Sequence, residues 1–246
     1  MYNYLIKIEY NGSNFVGWQI QKNGKSIQGT IEKALKKIFK SEIRISGAGR
    51  TDKGVHALGQ FANFKCTKKI KDKKKFLDSI NFFLGKNLIS VIDIKSKSID
   101  FHARFNAKKR VYEYLIINRQ SPLSIDKNKA WLIKKKINFS LLKKGGKIFE
   151  GIHDFSTFRA ASCSANSPMK KMDKVSIKKI KDKIYIKFTS KSFLQNQVRS
   201  MVGCLKYLST KKWTIDEFKK VFKSKNRSRC APPAPAEGLY LMDVKY

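Results

Sequence analysis

The chain has 246 residues, of which 54 are Lys or Arg and 18 are Asp or Glu, so its formal net charge is +36. A charge of this size excludes an acidic disordered tail and an ordinary enzyme for cationic substrates, and it indicates a polyanionic partner, most commonly nucleic acid. Because 45 of the basic residues are Lys and only 9 are Arg, compositional drift toward Lys explains the total equally well. The placement of the charges is therefore more informative than their sum.

Hydrophobic residues make up 41% of the chain, enough for the core of one large or two small domains. Residues 1–104 carry a net charge of +13 and the remainder +23, so no detachable basic tail accounts for the total. The N-terminus shows no signal-peptide pattern, and no apolar run approaches the ~18 residues of a membrane helix. The four cysteines lie far apart without a C-x-x-C pair, which indicates neither a zinc site nor a disulfide framework. We expect a soluble, cytoplasmic protein with no metal and no membrane contact.

Predicted strands and helices alternate along the chain. In the first part, the patterns predict strands at 4–10, 41–46, 60–65 and 88–94 and helices at 27–39 and 76–84. In the second part, they predict strands at 110–118, 172–180, 183–190 and 238–246 and helices near 139–149, at 193–208 and from Thr214, where Glu217 completes a capping box. The predicted fold class is α+β, with two sheet-bearing domains at 1–104 and 105–246 and mainly antiparallel sheets. Each domain opens on a strand that carries two tyrosines, which hints at a duplication.

The segment GAGRTDKGVHALGQ (47–60) is the most unusual stretch of the sequence. Its four glycines let a backbone turn tightly and approach a ligand closely, and Asp52 lies between Arg50 and Lys53. A carboxylate beside fixed cations stays ionised and can act as a nucleophile. On spacing alone, a glycine-rich hairpin whose Asp caps its own backbone is the favoured alternative. The segment matches neither the phosphate-loop nor the G-x-G-x-x-G pattern.

Two further positions place polar groups in apolar surroundings. Tyr112 and Tyr114 lie on one face of the predicted strand, where one ring can stack on a base or transfer a proton and core packing accounts for the other. Arg199 lies in the largely apolar helix FLQNQVRSMVG, where a guanidinium needs a partner or a cleft. A structural salt bridge and a role in a site explain Arg199 equally well.

Two other segments favour structural roles. GIHDFSTFRAAS (151–162) resembles neither a metal site nor a catalytic triad, and we interpret it as a structural or RNA-contacting loop with Asp154 as an alternative carboxylate. APPAPAEGLYL (231–241) is typical of a rigid Pro-rich segment that leads into the final strand, with Glu237 in a structural role.

Seven segments in collinear order carry a family resemblance. They are IEYNGSNFVGWQIQ (8–21), SIQGTIEKAL (26–35), GAGRTDKGVHALGQ (47–60), FHARFNAKKRVYEY (101–114), GIHDFSTFRA (151–160), FLQNQVRSMVGCL (193–205) and APAEGLYLMDVKY (234–246). The pattern R-T-D-x-G-V-H-A in the third segment is highly specific. On these segments the chain resembles the tRNA pseudouridine synthase A family from end to end.

The resemblance implies roles for four residues. Asp52 is similar to the catalytic carboxylate of pseudouridine synthases, Tyr112 to the family's active-site tyrosine, and Arg199 to the arginine that pairs with the aspartate. Arg50 is similar to the residue that helps to hold the target base out of the stack. The resemblance also implies that no metal or cofactor is used and that the substrates are uridines 38, 39 and 40 in the anticodon stem-loop of tRNA. It further implies a homodimer, in which each subunit has two α+β domains and an active-site cleft between them.

Asn63 and Asn196 depart from the family pattern, because His is often found at both positions. These departures leave the fine substrate contacts undetermined.

Two other functions fit the residues when the resemblance is set aside. One is a non-catalytic RNA-binding or tRNA-folding protein, which the charge supports equally, and the other is a base-excising glycosylase. A methyltransferase or a deaminase lacks support, because neither a Rossmann glycine fingerprint nor H-x-E with P-C-x-x-C is present.

Overall fold

The computed structural model describes every residue from Met1 to Tyr246 and divides the chain into two compact units. The first unit comprises Met1–Lys108 together with Tyr240–Tyr246, and the second comprises Lys109–Leu239. The end of the chain therefore groups with its beginning. No helix of the structure combines the length and the apolar character that crossing a membrane requires.

Strands and helices occur in both units, as an α+β fold requires. Up to residue 108 they are β1 (Tyr2–Tyr10), α1 (Ile27–Phe39), β2 (Ile45–Gly47), β3 (His56–Cys66), α2 (Lys73–Leu84) and β4 (Ile89–Lys97). They continue with β5 (Lys109–Ile117), β6 (Trp131–Leu132), α3 (Phe139–Ile148), β7 (Gly151–Asp154), β8 (Met169–Ile180), β9 (Lys183–Ser190), α4 (Gln197–Ser209), α5 (Ile215–Lys223) and β10 (Leu239–Lys245). The predicted α+β class is confirmed.

The sheet of the first unit is built around β1 and β3. Strand β1 pairs antiparallel with both β3 and β4, and β2 pairs antiparallel with β3. Strand β10 lies parallel to β3, with Tyr240 opposite His56. The final strand thus runs beside the segment that follows the predicted Asp52 loop.

An aromatic cluster forms part of the core of the first unit. The ring of Phe39 at the end of α1 lies 6.0 Å from Phe64 of β3 and 6.2 Å from Phe76 of α2. Helix α1 also buries Ile27, Ile31 and Leu35, the apolar positions that predict this helix from sequence. Burial of this apolar stripe fixes α1 against the rest of the unit.

The sheet of the second unit contains β5, β9, β8 and β7 in that order, and each neighbouring pair is antiparallel. Strand β6 lies parallel to β5, with Ile116 opposite Trp131. Residues 151–154, predicted as part of a loop, form the edge strand β7.

The parallel pairs of β10 with β3 and of β6 with β5 correct one prediction. Mainly antiparallel sheets were expected, and the sheet is mixed. A tight hairpin forces two strands to run antiparallel, whereas a long connection lets the chain return in the same direction. Both parallel pairs join strands that a long connection separates, and short sequence patterns do not record that pairing.

Helices α4 and α5 belong to the second unit. Helix α4 begins at Gln197 rather than at Phe193 as predicted, because Asn196 adopts a left-handed conformation with φ of 61°. The predicted capping box of α5 is confirmed: the Glu217 N–H donates to Thr214 Oγ1 at 3.2 Å, and the Thr214 N–H donates to Glu217 Oε2 at 2.7 Å.

Candidate active site

The loop that carries Asp52 joins β2 to β3 and is fixed through its main chain. Asp52 forms an isolated antiparallel bridge with Gly17, and the Trp18 N–H donates to the Thr51 carbonyl at 3.0 Å. The Val55 N–H donates to the Asp52 carbonyl at 3.1 Å, which closes a turn through Gly54 at a φ of +79°. These contacts are made by backbone groups, so they do not depend on the identity of the side chain at position 52.

Buried side chains anchor the loop on both sides of Asp52. The Tyr10 hydroxyl and Thr51 Oγ1 share a hydrogen bond of 2.7 Å, and the Gly12 N–H donates to His56 Nδ1 at 3.0 Å. The His56 ring stacks on Tyr240 of β10, with 4.8 Å between the centroids. His56 therefore has a structural role beside the loop, and Asp52 stands on a rigid support.

Asp52 is half-buried, whereas Arg50, two residues earlier in the same loop, is exposed. The structure thus brings these two predicted site residues together on one loop. A half-buried carboxylate can contact a ligand while its backbone stays fixed, and an exposed guanidinium can reach a polyanion. Both properties fit the chemistry expected of this segment.

The two tyrosines of β5 have different environments. Tyr114 is fully buried, its hydroxyl donates to the Pro235 carbonyl at 2.8 Å, and burial raises the pKa of its phenol well above 10.0. Tyr112 is 8% exposed and packs edge-on against Phe193, with 5.1 Å between the ring centroids. Tyr114 is therefore the core member of the pair, and Tyr112 is the candidate for a site.

Arg199 lies in the first turn of α4 and is held by the chain segment that precedes β10. Its Nε donates to the Ala234 carbonyl at 2.8 Å, and the Ala234 N–H donates to the Arg199 carbonyl at 2.9 Å. Its Nη1 donates to Asn196 Oδ1 at 3.2 Å. The charge of Arg199 acts on Tyr114, where it opposes the larger effect of burial on the pKa of that phenol. The structure thus places Arg199 close to β5 within the second unit.

Two packing contacts keep the segment around Ala234 against α4. A Cβ atom on Gly203 would lie 2.1 Å from the Pro232 carbonyl oxygen, so the backbones approach closely there. The Sγ atoms of Cys204 and Cys230 are 3.4 Å apart, and both thiols are free. These contacts support the hydrogen bond between Arg199 and Ala234, which lie 35 residues apart in the sequence.

The two asparagines that depart from the family pattern both have defined contacts. Asn63 is buried in β3, where its Oδ1 accepts from the Ala103 N–H at 2.8 Å and its Nδ2 donates to Asn3 Oδ1 at 3.0 Å. Asn196 precedes α4 and accepts from Arg199. Asn63 positions a loop of the first unit, and Asn196 positions a predicted site residue.

The alternative carboxylate, Asp154, has a structural environment. Its Oδ1 accepts from the Ser156 N–H at 2.8 Å, and its Oδ2 lies 3.7 Å from Lys225 Nζ. Burial acts to raise the pKa of Asp154, but the hydrogen bonds from Ser156 and the charge of Lys225 outweigh it and lower the pKa. These contacts stabilise a turn next to β7.

Glu237 lies in the short helical turn Ala236–Gly238, directly before β10. This position fits its predicted structural role.

Sequence reasoning missed the residues that hold the site residues in place. Gly17, Tyr10 and Thr51 fix the Asp52 loop, and Ala234 fixes Arg199. Gly17 and Tyr10 lie in the segment 8–21, which carries the family resemblance, and this was the available signal. Ala234 lies at the start of the segment 234–246, which also carries the resemblance, but it acts through its backbone, so its residue type does not indicate its role.

Comparison with known proteins identifies the family. A family model described as tRNA pseudouridine synthase matches residues 6–106 and 147–246. A tRNA pseudouridine synthase A from Pelagibacter ubique is 54% identical over 246 residues, which cover 100% of both chains. Proteins of the same name from Parvibaculum lavamentivorans and Sinorhizobium fredii are 41% and 40% identical, again over 100% of both chains. The chain belongs to the tRNA pseudouridine synthase family.

Proposed function

We propose that Asp52, Tyr112, Arg199 and Arg50 form the active site in which this chain converts uridine to pseudouridine in tRNA. Membership of the family makes the chain an isomerase that acts on tRNA. The observation that carries the assignment of Asp52 is the loop geometry, in which backbone contacts on both sides of a half-buried carboxylate hold it rigidly.

The reaction needs few groups. The glycosidic bond of uridine breaks, the uracil turns, and the base is joined again to the ribose through carbon. Nothing is gained or lost overall, so the conversion requires no cofactor. The target base must leave the stack before any side chain reaches it, and in this proposal Arg50, which is exposed, fills the gap.

Asp52 is the reacting carboxylate in this proposal. It either attacks the ribose or removes a ribose proton so that uracil is eliminated, and both routes require the ionised form. Arg199 pairs with Asp52 and keeps it ionised and oriented. Tyr112 stacks on the uracil and takes part in removal of the proton from C5, directly or through a water. Asp52 and Arg50 come from the first unit and Tyr112 and Arg199 from the second.

We extend the proposal to the assembly and the substrate. The domains at 1–104 and 105–246 are duplicated, a cleft between them holds the active site, and the protein works as a homodimer in the cytoplasm. The substrates are uridines 38, 39 and 40 of the anticodon stem-loop. The name tRNA pseudouridine synthase A of the full-length relatives supports the assignment of the anticodon stem-loop as the substrate. The net charge of +36 is spread over both parts of the chain and fits binding of tRNA phosphates, so affinity should fall steeply with salt.

Replacement of Asp52 tests the catalytic assignment. Asp52→Asn should bind tRNA with nearly normal affinity and release no tritium from tRNA that contains 5-tritiated uridine, because the amide is neither a nucleophile nor a base. Asp93→Asn is the matched control, since Asp93 is a half-buried carboxylate of the same unit, and its Oδ2 lies 3.3 Å from Lys95 Nζ. That control should release tritium at the wild-type rate. Tritium release by Asp52→Asn would contradict the assignment.

A further inference from the structure

A second RNA contact is indicated by the loop between β4 and β5, where Phe105 is 75% exposed. The His102 ring lies against it, with 4.4 Å between the ring centroids and an interplanar angle of 38°. The Arg104 guanidinium lies over the Phe105 ring at 5.7 Å from its centroid. These three side chains, His102, Arg104 and Phe105, form one aromatic and cationic surface, which we call the Phe105 platform.

The turn that carries the Phe105 platform is closed by reciprocal hydrogen bonds. The His102 N–H donates to Asn106 Oδ1 at 2.8 Å, and the Asn106 N–H donates to the His102 carbonyl at 3.0 Å. The Arg104 N–H donates to His102 Nδ1 at 3.1 Å. Phe105 is therefore displayed on an ordered turn, and a ligand that binds there has little backbone entropy to remove.

Buried groups fix the base of the same turn. Asn63 Oδ1 accepts from the Ala103 N–H at 2.8 Å, and the Tyr246 hydroxyl donates to the Ala103 carbonyl at 3.0 Å. Asn3 Nδ2 donates to the Phe101 carbonyl at 2.9 Å. The turn is anchored to β3 and to both ends of the chain, so the exposure of Phe105 is a property of the fold.

Charge indicates which class of ligand fits the Phe105 platform. Residues 97–110 contain five basic side chains and one acidic side chain. They are Lys97, Arg104, Lys108, Lys109, Arg110 and Asp100. An exposed aromatic ring among cations is the combination that proteins use to stack single-stranded bases while contacting the phosphates.

We propose that the Phe105 platform binds an unpaired nucleobase of the tRNA substrate, which stacks on the Phe105 ring while neighbouring cations contact its phosphates. This inference rests on the proposed function, because that function makes tRNA the polyanion. An unpaired base is specified because paired bases in a duplex do not expose a face to a side chain. Phe105 is thus assigned a role in positioning the substrate and takes no part in the reaction itself.

Replacement of Phe105 separates this role from catalysis. Phe105→Ala should weaken binding of a stem-loop RNA about tenfold, the effect typical of losing one base–aromatic stack. Single-turnover tritium release at saturating enzyme should stay within about twofold of the wild-type rate, since only binding is affected. The matched control is Phe82→Ala, because Phe82 is 80% exposed in the same unit but lies on α2 against Phe83. It should bind RNA as the wild type does.

Two further probes identify the contact. Phe105→Trp should restore the affinity, and its added fluorescence should be quenched by the stem-loop. A blunt RNA duplex of equal length should bind the wild type and Phe105→Ala equally at the same salt concentration. If Phe105→Ala lost the same affinity for the duplex as for the stem-loop, the contact would be with the RNA backbone and the inference would be wrong.

Two more outcomes are decisive. The inference fails if Phe105→Ala binds the stem-loop as tightly as Phe82→Ala. It also fails if Phe105→Ala sediments as a smaller species with unchanged RNA affinity, because the platform would then join copies of this chain. Failure of the proposed function looks different, since the wild type would then bind the stem-loop without releasing tritium.

Discussion

The loop around Asp52 and the start of α4 around Arg199 hold their key residues in different ways. Asp52 is fixed by backbone contacts with Gly17 and Val55, and its flanking residue Thr51 is tied to Tyr10. Arg199 is fixed by its own guanidinium, which donates to the Ala234 carbonyl and to Asn196. In the first region the contacts described are made by the backbone and by neighbouring residues, whereas in the second they are made by the guanidinium of Arg199 itself.

This difference predicts how each region responds to change. A substitution of Asp52 should remove the chemistry and leave the loop intact. A substitution of Arg199 should disturb both the function and the local structure, because the guanidinium joins α4 to the segment around Ala234. Changes to the support of each region test this contrast more directly than changes to the reacting groups.

Among changes outside the reacting carboxylate, Gly17→Ala should have the largest effect, because it alters the backbone support of the Asp52 loop. Gly17 has a φ of +120°, and a Cβ there would lie 2.8 Å from the Thr51 carbonyl oxygen. The loop must shift, and a displacement of about 1 Å can lower a rate on the order of 100-fold. The left-handed strain should also lower the free energy of unfolding by about 1–3 kcal/mol. Tritium release and urea unfolding measure the two effects.

The control for this prediction is Gly85→Ala. Gly85 has a φ of −45° at the end of α2, and nothing lies within 4 Å of the position of its Cβ. The substitution should leave the rate unchanged and keep or slightly raise the stability. If Gly17→Ala were as active and as stable as Gly85→Ala, the main-chain support of Asp52 would be disproved.

Arg199→Lys should have the next largest effect, because an ammonium cannot reproduce the two directed contacts of the planar guanidinium. Losing a hydrogen bond of a charged group corresponds to about 1.5–3 kcal/mol, so tritium release should fall about tenfold or more. Arg119→Lys is the control, since the Arg119 guanidinium also makes two directed contacts, to the Pro122 carbonyl at 2.9 Å and to the Asp182 carboxylate at 3.2 Å. If Arg199→Lys were as active as Arg119→Lys, the proposed role of Arg199 in the reaction would be wrong.

Thr214→Ala should have the smallest effect on the site. It removes the capping box of α5, in which Thr214 Oγ1 accepts from the Glu217 N–H at 3.2 Å. The free energy of unfolding should fall by about 1 kcal/mol, as for other N-cap substitutions. Tritium release per folded molecule should not change. A large loss of activity without a loss of stability would show that α5 belongs to the site.

The two regions also differ in how much of them the sequence predicts. The Asp52 loop depends on residue type, because only glycine readily adopts the backbone conformation found at positions 17 and 54. Gly54 is one of the four glycines that make the segment 47–60 stand out in the sequence. The support of Arg199 is a backbone carbonyl, which every residue has, and it lies 35 residues further along the chain. The helices were predictable from apolar periodicity, as for α1, or from a capping motif, as for α5. The parallel position of β10 beside β3 was not, because local patterns carry no information on long-range pairing.

Mapping pseudouridine in a defined tRNA tests the central claim most directly. An unmodified tRNA transcript with uridines at 38, 39 and 40 is incubated with the wild type or with Asp52→Asn, and pseudouridine is located by mass spectrometry of nuclease fragments. The account predicts pseudouridine within positions 38–40 for the wild type and unmodified uridine throughout for Asp52→Asn. A transcript left unmodified by the wild type, or modified equally by Asp52→Asn, would contradict it.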